Sequence, residues 1–168
     1  MMPCYCGSEL SFEQCCKLII QGDINAKTPE QLMRSRYSAY ATKQVDYIFN
    51  TYAKDSKANQ SVEDIKHWAE QTVWLKLNIV NTDNIEKHQY EFFINNDSLP
   101  VVEFFALYIH DKKFHKMSEK SRFTLENNQW RYLDGDVAEH QVLTTPKRNE
   151  ACICQSNIKF KSCCALKL

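Results

Sequence analysis

Glycine is scarce in this chain, with 3 residues among 168. Loops that hold nucleotide phosphates need several closely spaced glycines, so a glycine-rich phosphate-binding loop is excluded. No apolar run approaches the length of about 18 residues that suggests a transmembrane helix, and we expect no membrane span. Neither sign of charge dominates, because Lys and Arg together number 21 and Asp and Glu together number 21. This balance disfavours a general nucleic-acid-binding protein.

Cysteine is absent from residues 17–151 and is concentrated at both ends of the chain. The strings CYCGSELSFEQCC and CICQSNIKFKSCC both follow the pattern C-x-C-x8-C-C. Four thiolates this close in sequence are typical of a structural zinc site, where they fill the tetrahedral coordination sphere and leave no position for a catalytic water. The sequence therefore predicts two structural zinc sites, with the ligands Cys4, Cys6, Cys15 and Cys16 in one and Cys152, Cys154, Cys163 and Cys164 in the other.

Iron–sulfur clusters and disulfide bonds are the alternatives to zinc. Iron–sulfur clusters also take four cysteines, but their usual spacings differ from this one. Disulfide frameworks belong mainly to small secreted proteins, whereas MMPCYCGSEL lacks the basic and apolar regions of a signal peptide. A bond between the adjacent residues Cys15 and Cys16 would also be strained. We therefore expect reduced cysteines in a cytoplasmic protein, although the spacing leaves open whether the two ends share ligands.

Basic residues dominate the chain from Pro146 onward, where Glu150 is the only acidic residue. Four thiolates around one zinc ion leave a net charge of about −2, so one interpretation is local charge compensation. The other interpretation is a docking surface for an acidic partner. The basic residues are Lys147, Arg148, Lys159, Lys161 and Lys167.

The middle of the chain begins with a helical pattern. Hydrophobic residues make up 43% of the sequence and aromatic residues 12%, enough for the packed core of one domain. Thr28 is a suitable N-cap and Pro29 suits the first helical position. Ser61 and Asp64 resemble a capping box for a further helix. The apolar periodicity predicts helices over about 29–43 and 45–53, and a third from 62 onward.

The period then changes to two, which is typical of strands. We predict strands at 73–79, 90–94, 101–109, 114–125 and 129–133, the last ending at the turn Asp134-Gly135-Asp136. Helices followed by long strands predict an α+β domain, with helices packed on one face of a curved antiparallel sheet. We divide the chain into an N-terminal zinc motif (1–27), the α+β domain (28–145) and a C-terminal zinc motif (146–168).

Polar residues interrupt the apolar face of the strand over 114–125. His115, Glu119 and Ser121 share that face with apolar side chains, and a carboxylate there needs a partner. One interpretation is a structural anchor in which Glu119 pairs with Arg131, Arg34 or Arg36. The other is a polar floor in an aromatic pocket, with the candidate residues Glu119, Ser121, His115, Tyr37, Trp68 and Trp74.

The cysteine strings are similar to the SEC-C motif, the zinc-binding segment also found at the C-terminus of the secretion ATPase SecA. With PEQLMRSRYSAY and EKSRFTLENNQWRYLDGD in the middle, nearly the whole chain resembles the bacterial YchJ-type family. The resemblance implies zinc at all eight cysteines and a cystatin-like, nuclear-transport-factor-2-like (NTF2-like) cone with an internal pocket. It implies no particular reaction, because this fold hosts enzymes, ligand binders and dimerisation modules.

Two positions depart from the family pattern. Gln155 stands where the motif usually has glycine, which predicts a distorted or weaker second site. Ser118 precedes Glu119 where the family typically has histidine, which weakens any proposal of His–Glu acid–base chemistry.

Two functions fit these observations. The first is a zinc-binding adaptor or protein-interaction protein, since SEC-C motifs in SecA resemble recognition knobs that contact a chaperone and the ribosome. Its partner would be a protein connected with translation or secretion, and a homodimer is compatible with the fold. The second is a small-molecule binder or enzyme that uses the cone pocket. Catalysis is the less expected role, because the sequence offers no nucleophile–base pair and no open metal site.

Overall fold

A computed structural model describes residues 2–168 and shows an α+β fold. The helices are α1 (Cys16–Ile20), α2 (Pro29–Ala41), α3 (Val45–Asn50), α4 (Lys54–Lys57), α5 (Val62–Gln71) and α6 (Tyr90–Asn95). The strands are β1 (Thr72–Thr82), β2 (Val101–His110), β3 (Lys113–Glu126) and β4 (Gln129–Leu143). None of the helices within residues 2–168 has the length and apolar character that a membrane span requires.

The helix starts follow the predicted capping. The Thr28 side chain accepts a hydrogen bond from the Gln31 amide, and Pro29 occupies the first turn of α2. The Ser61 side chain accepts in the same way from the Asp64 amide at the start of α5. These side chains satisfy amides that the first helical turn leaves without partners. The predicted helix positions are confirmed, with α2 and α3 ending two to three residues earlier than expected.

The four strands form one antiparallel sheet in the order β1-β2-β3-β4. Helix α2 packs on one face of this sheet, and the main core lies between them. The predicted α+β class is therefore confirmed. The largest contributions to the core come from buried aromatic and aliphatic side chains, including Leu32, Tyr37, Leu77, Val102, Phe104, Phe123 and Trp130.

The predicted strand at 90–94 is wrong, because this segment is the helix α6. Glu86 and Gln89 form a reciprocal capping box that starts a helical turn immediately before it. Tyr90 and Phe93, three positions apart, face the core, whereas Phe92 is 71% exposed. The alternation of apolar residues suggested a strand, but the buried pair follows helical spacing.

The predicted end of the last strand at Asp134-Gly135-Asp136 is also wrong, because β4 continues to Leu143. Gly135 pairs with Ser121 inside the sheet. A Cβ atom at Gly135 would overlap the Glu119 carboxylate and the Tyr132 hydroxyl. Glycine is present here because two side chains occupy the space, rather than because the chain turns.

Candidate metal centres and central pocket

The four N-terminal cysteines converge in a single cluster. Their sulfur atoms all lie within 4.8 Å of one another. The Cys15 sulfur is 3.8 Å from the sulfurs of both Cys6 and Cys16. Gly7, directly after the C-x-C pair, has φ of 77° and donates its amide hydrogen to the Cys4 carbonyl oxygen at 3.1 Å. This tight turn brings the first two sulfurs to the second pair.

The C-terminal cysteines repeat this geometry. Their sulfurs also lie within 4.8 Å of one another, with Cys154 at 3.5 Å from Cys152 and 3.6 Å from Cys163. Gln155 takes the place of Gly7, with φ of 61° and its amide donating to the Cys152 carbonyl oxygen at 3.0 Å. The substitution therefore preserves the turn, at the cost of a left-handed non-glycine residue. Each motif forms a cluster of its own, and the two ends do not share ligands.

The spacing of the sulfurs fits a bound metal ion. All eight cysteines are free, and the closest sulfur pairs are far longer than the about 2.05 Å of a disulfide. Four sulfurs at about 2.3 Å from a central zinc ion would lie about 3.8 Å apart. The sulfur pairs at 3.5–4.0 Å match this tetrahedral edge in both clusters. Both clusters could therefore hold a metal ion.

Neighbouring thiols shift one another's pKa values in each cluster. Hydrogen bonds from Cys16 and Cys6 lower the pKa of Cys4, whereas hydrogen bonds to Cys4 and Cys6, followed by burial, raise the pKa of Cys16. In the second cluster, burial opposes ionisation of Cys152, but hydrogen bonds from the amides and thiols of Cys154 and Cys164 together outweigh it and lower its pKa to about 7. Four negative charges at this separation repel strongly, so full deprotonation requires a cation.

A serine hydroxyl supports the same sulfur in each copy. The hydroxyl of Ser8 lies 3.3 Å from the Cys15 sulfur, and that of Ser156 lies 3.3 Å from the Cys163 sulfur. A hydroxyl donor stabilises a thiolate ligand and fixes its orientation. Sequence reasoning missed these serines, although their shared position two residues after the C-x-C pair was visible in the aligned motifs.

The N-terminal cluster docks on α2. Arg34, held by Glu30 at 2.8 Å, donates from Nη1 to the Cys6 carbonyl oxygen at 2.7 Å. The Cys4 sulfur lies 3.8 Å from the hydroxyl of Ser38, which is fully buried. Arg34 therefore connects the cysteine cluster to the helix instead of pairing with Glu119.

The C-terminal cluster docks on the sheet. Phe160 is buried and makes an edge-on contact with Phe114 of β3, with ring centroids 5.7 Å apart. Ile109 of β2 belongs to the same apolar cluster. The Lys76 side chain on β1 donates to the Gln155 side-chain oxygen at 2.5 Å. These contacts fix the second cluster against the end of the sheet.

A partly open pocket of about 220 Å³ lies between α2, α5 and the sheet. Of the predicted residues, Tyr37, Trp68, Trp74 and Glu119 line it. The Trp74 ring lies 5.4 Å from Tyr37 and 6.3 Å from Trp68, measured between centroids, in edge-on contacts. The other lining residues are Met33, Arg36, Tyr40, Tyr52, Phe104, Met117 and Tyr132.

Glu119 accepts two hydrogen bonds, both at Oε1. The Ser121 hydroxyl donates at 2.7 Å and the Tyr132 hydroxyl at 2.8 Å. Ser121 is fully buried beneath the pocket. Burial, then the Glu119 charge, raises the pKa of Tyr132, so this phenol stays a neutral donor at physiological pH. Hydroxyl groups therefore hold the carboxylate in place.

The expected ion pair of Glu119 with an arginine is not present among residues 2–168. The Arg36 guanidinium lies beside the Tyr52 and Tyr132 rings, 4.4 and 4.5 Å from their centroids. It donates to the Ile48 carbonyl oxygen at 2.9 Å and to the Thr51 hydroxyl at 2.6 Å. Its Nη1 hydrogen bonds therefore hold Arg36 to the C-terminal end of α3, and the two tyrosine rings add cation–π attraction.

Arg131 is engaged elsewhere as well. It donates to the Trp130 carbonyl oxygen at 3.0 Å and to the Gln129 side chain at 2.5 Å. Both partners lie beside it on β4, so neither of its contacts reaches the pocket floor.

His115 lies outside the pocket wall. Its ring stacks on Tyr108 with centroids 5.1 Å apart and on His140 at 5.5 Å. Burial, the main cause, lowers the pKa of His115. The structure therefore places His115 in a stacked aromatic layer next to the pocket, while Ser121 reaches the pocket only through Glu119.

The comparisons with known proteins agree with this architecture. Residues 28–135 match the family model described as the YchJ middle NTF2-like domain, and residues 148–166 match the SEC-C motif. A UPF0225 protein of Vibrio parahaemolyticus is 37% identical, with the alignment covering 96% of this chain and 97% of the relative. A UPF0225 protein of Photorhabdus laumondii is 36% identical with the same coverage.

Two solved structures share the fold. The solution structure of a SEC-C motif containing protein from Rhodopseudomonas palustris has a TM-score of 0.70 and 27% identity, covering 82% of this chain and 100% of that one. The crystal structure of a SEC-C motif containing protein from Psychrobacter arcticus has a TM-score of 0.64 and 27% identity, covering 99% of this chain and 96% of that one.

Fold and cysteine clusters together define a SEC-C motif protein built on an NTF2-like middle domain. Within that class, the chain belongs to the YchJ-type UPF0225 family.

Proposed function

We propose that this protein is a zinc-dependent adaptor that binds partner proteins through its two terminal zinc motifs. We call these motifs, at residues 1–27 and 146–168, the N-terminal and C-terminal cysteine modules. Each four-sulfur cluster would hold one structural zinc ion, with the reduced thiolates kept in the bacterial cytoplasm. The observation that carries the proposal is the duplicated tetrahedral spacing of the sulfurs, at 3.5–4.0 Å. A closed four-thiolate site organises a small surface and performs no chemistry, which favours recognition over catalysis.

The surface of each module supports this proposal. Leu10 and Ile158 occupy the same motif position and are 53% and 49% exposed. Their charged surroundings differ, because Glu13 in the first motif corresponds to Lys161 in the second, and both are exposed. An apolar centre with a charged rim is the usual composition of a protein contact surface. The two modules would therefore bind different partners, the C-terminal one an acidic protein surface.

The resemblance to the SecA motif favours partners connected with translation or secretion. The opposite charges of the two modules also make contact between two copies of this chain a second way to use the same surfaces. Sedimentation of the purified chain would distinguish the two cases, because self-association through the modules would be weakened by salt.

The metal part of the proposal is tested by elemental analysis of the purified protein under reducing conditions. We expect about two zinc ions per chain, and about one in each of the variants Cys15→Ser and Cys163→Ser. Iron in place of zinc, or the absence of any metal, would contradict the zinc proposal.

The interaction part is tested by affinity capture from a bacterial lysate. Leu10→Asp and Ile158→Asp each alter the centre of one module and leave its cysteines intact. We expect each variant to lose a distinct, reproducible set of proteins that the other retains. Identical capture by the wild type, both variants and the chelator-treated protein would show that the modules do not recruit partners.

A further inference from the structure

The pocket between α2, α5 and the sheet contains a carboxylate without a cationic partner. No ion pair formed within residues 2–168 involves Glu119. Both hydrogen bonds that it accepts from these residues end on Oε1, so Oε2 has no donor among them. A partly buried carboxylate oxygen is stabilised by a nearby positive charge, which a ligand can supply.

The pocket walls are predominantly aromatic. Tyr37, Tyr40, Trp68 and Trp74 line the pocket together with Glu119. Burial, the main cause, raises the pKa values of Tyr37 and Tyr40, so both phenols remain neutral. Aromatic faces carry negative electrostatic potential and attract ammonium groups, most strongly where water is excluded.

The positive charge of Arg36 does not fill this role. Its guanidinium lies beside two tyrosine rings, and Nη1 donates to α3 and Thr51. The pocket thus contains a buried cation that is bonded to α3 and a carboxylate oxygen that has no partner among residues 2–168. A volume of about 220 Å³ is below the about 300–1,000 Å³ typical of drug-sized ligands, so the ligand must be small.

We infer that the pocket binds a small quaternary ammonium compound, with its positive charge next to Glu119 Oε2 and its alkyl groups against the aromatic walls. The charge is attracted by the free carboxylate oxygen and gains cation–π attraction from the rings. This binding is independent of the cysteine clusters and of the adaptor role proposed above.

The test compares three probes of one shape and different charge: choline, neutral 3,3-dimethyl-1-butanol and anionic 3,3-dimethylbutyrate. Each is titrated into the zinc-loaded full chain while the indole N–H signals of its three tryptophans are followed by NMR. Trp68 and Trp74 line the pocket, whereas the Trp130 N–H is bonded to the Lys27 carbonyl oxygen at 2.9 Å and serves as the internal control. We expect choline to shift the pocket signals and to bind at least about tenfold more tightly than the neutral probe.

Glu119→Gln is the decisive variant, because its amide oxygen can still accept from Ser121 and Tyr132 while the charge is removed. We expect it to fold normally and to lose the preference for choline. Glu139→Gln is the matched control, because Glu139 is an exposed glutamate paired with Lys116 and should leave choline binding unchanged.

Three results would overturn the inference. Equal binding of choline and the neutral probe would show that only apolar contact matters. Preference for the anionic probe would show that Arg36 recognises the ligand. Failure of both choline and tetramethylammonium to shift any pocket indole signal would show that the pocket takes no small quaternary ammonium compound.

Discussion

Gln155 is the residue at which the second cysteine cluster replaces the glycine of the first. It holds a left-handed conformation with φ of 61°, where the first cluster has Gly7 with φ of 77°. A non-glycine residue in this left-handed conformation raises the free energy of the folded state by about 1 kcal/mol. We expect Gln155→Gly to raise the zinc affinity of the C-terminal cluster by about two- to fivefold, equivalent to about 0.5–1 kcal/mol. Zinc competition with a chelator measures this in a Cys15→Ser background, where only the C-terminal cluster is complete.

Gly7→Gln is the reverse control. The nearest atom to a Cβ added at Gly7 would be the Leu77 carbonyl oxygen at 3.6 Å, so the side chain fits and only the backbone is strained. This variant should weaken the N-terminal cluster by a similar factor in a Cys163→Ser background. If Gln155→Gly lowered zinc affinity, the hydrogen bond from Lys76 to Gln155 would outweigh the strain, and our prediction would be wrong.

Gly135 controls the position of the pocket carboxylate. A methyl group at this position would overlap the Glu119 carboxylate and the Tyr132 hydroxyl. We expect Gly135→Ala to displace Glu119 and to lower the free energy of unfolding by about 1–3 kcal/mol, as overpacking of a core does. Urea unfolding measures the loss. In a Glu119→Ala background the cost should shrink, and an equal cost in both backgrounds would place its origin in the backbone of β4.

At the scale of elements, the two cysteine modules have a phenylalanine at the same motif position, but it makes different contacts in each. Phe12 contacts Tyr5 inside its own module, with ring centroids 5.5 Å apart, and is partly buried. Its counterpart Phe160 is buried and packs on Phe114 of the sheet. The same motif position therefore stabilises one module internally and attaches the other to the scaffold.

Phe160→Ala should release the C-terminal module from the sheet. Removing a buried aromatic ring typically destabilises a protein by about 3–5 kcal/mol. Because Phe160 lies outside the core between α2 and the sheet, we expect its removal to weaken the attachment of the module and to leave that core intact. Hydrogen exchange is expected to accelerate in residues 148–166 and to stay slow in β2 and β3. Phe12→Ala is the control, with its effect confined to the N-terminal module. Faster exchange throughout the sheet after Phe160→Ala would show that docking and core are one cooperative unit.

For the whole molecule, the separate apolar clusters predict partial unfolding when metal is removed. The cysteines of each end belong to their own cluster, distinct from the core that contains Leu32, Phe104 and Trp130. We expect chelation to release both zinc ions and unfold the two modules, since metal binding supplies their folding free energy. The sheet should persist, as measured by circular dichroism and by the fluorescence of buried Trp130. Complete loss of cooperative unfolding after chelation would contradict this modular behaviour.

Local sequence information was sufficient for several features of the molecule. Thr28 and Ser61 cap their helices through side chains only three residues from the amides they satisfy, so the signal is contained in a short segment. The cysteine pattern likewise predicted two clusters, because the ligands of each lie within one short stretch. Strand β3 alternates between more and less buried residues from Glu119 to Phe123, which is why Glu119 and Ser121 lie on the inner face as expected.

Tertiary structure decided what depends on residues distant in sequence. The neighbours of Glu119 are hydroxyl groups instead of an arginine, because Arg36 and Arg34 find partners on α3 and in the N-terminal module. Segment 90–95 is a helix because the core accepts Tyr90 and Phe93 together. Strand β4 has glycine at position 135 because the Glu119 carboxylate occupies the space that a side chain would need. In each case the free energy comes from packing between segments that short-range patterns do not connect.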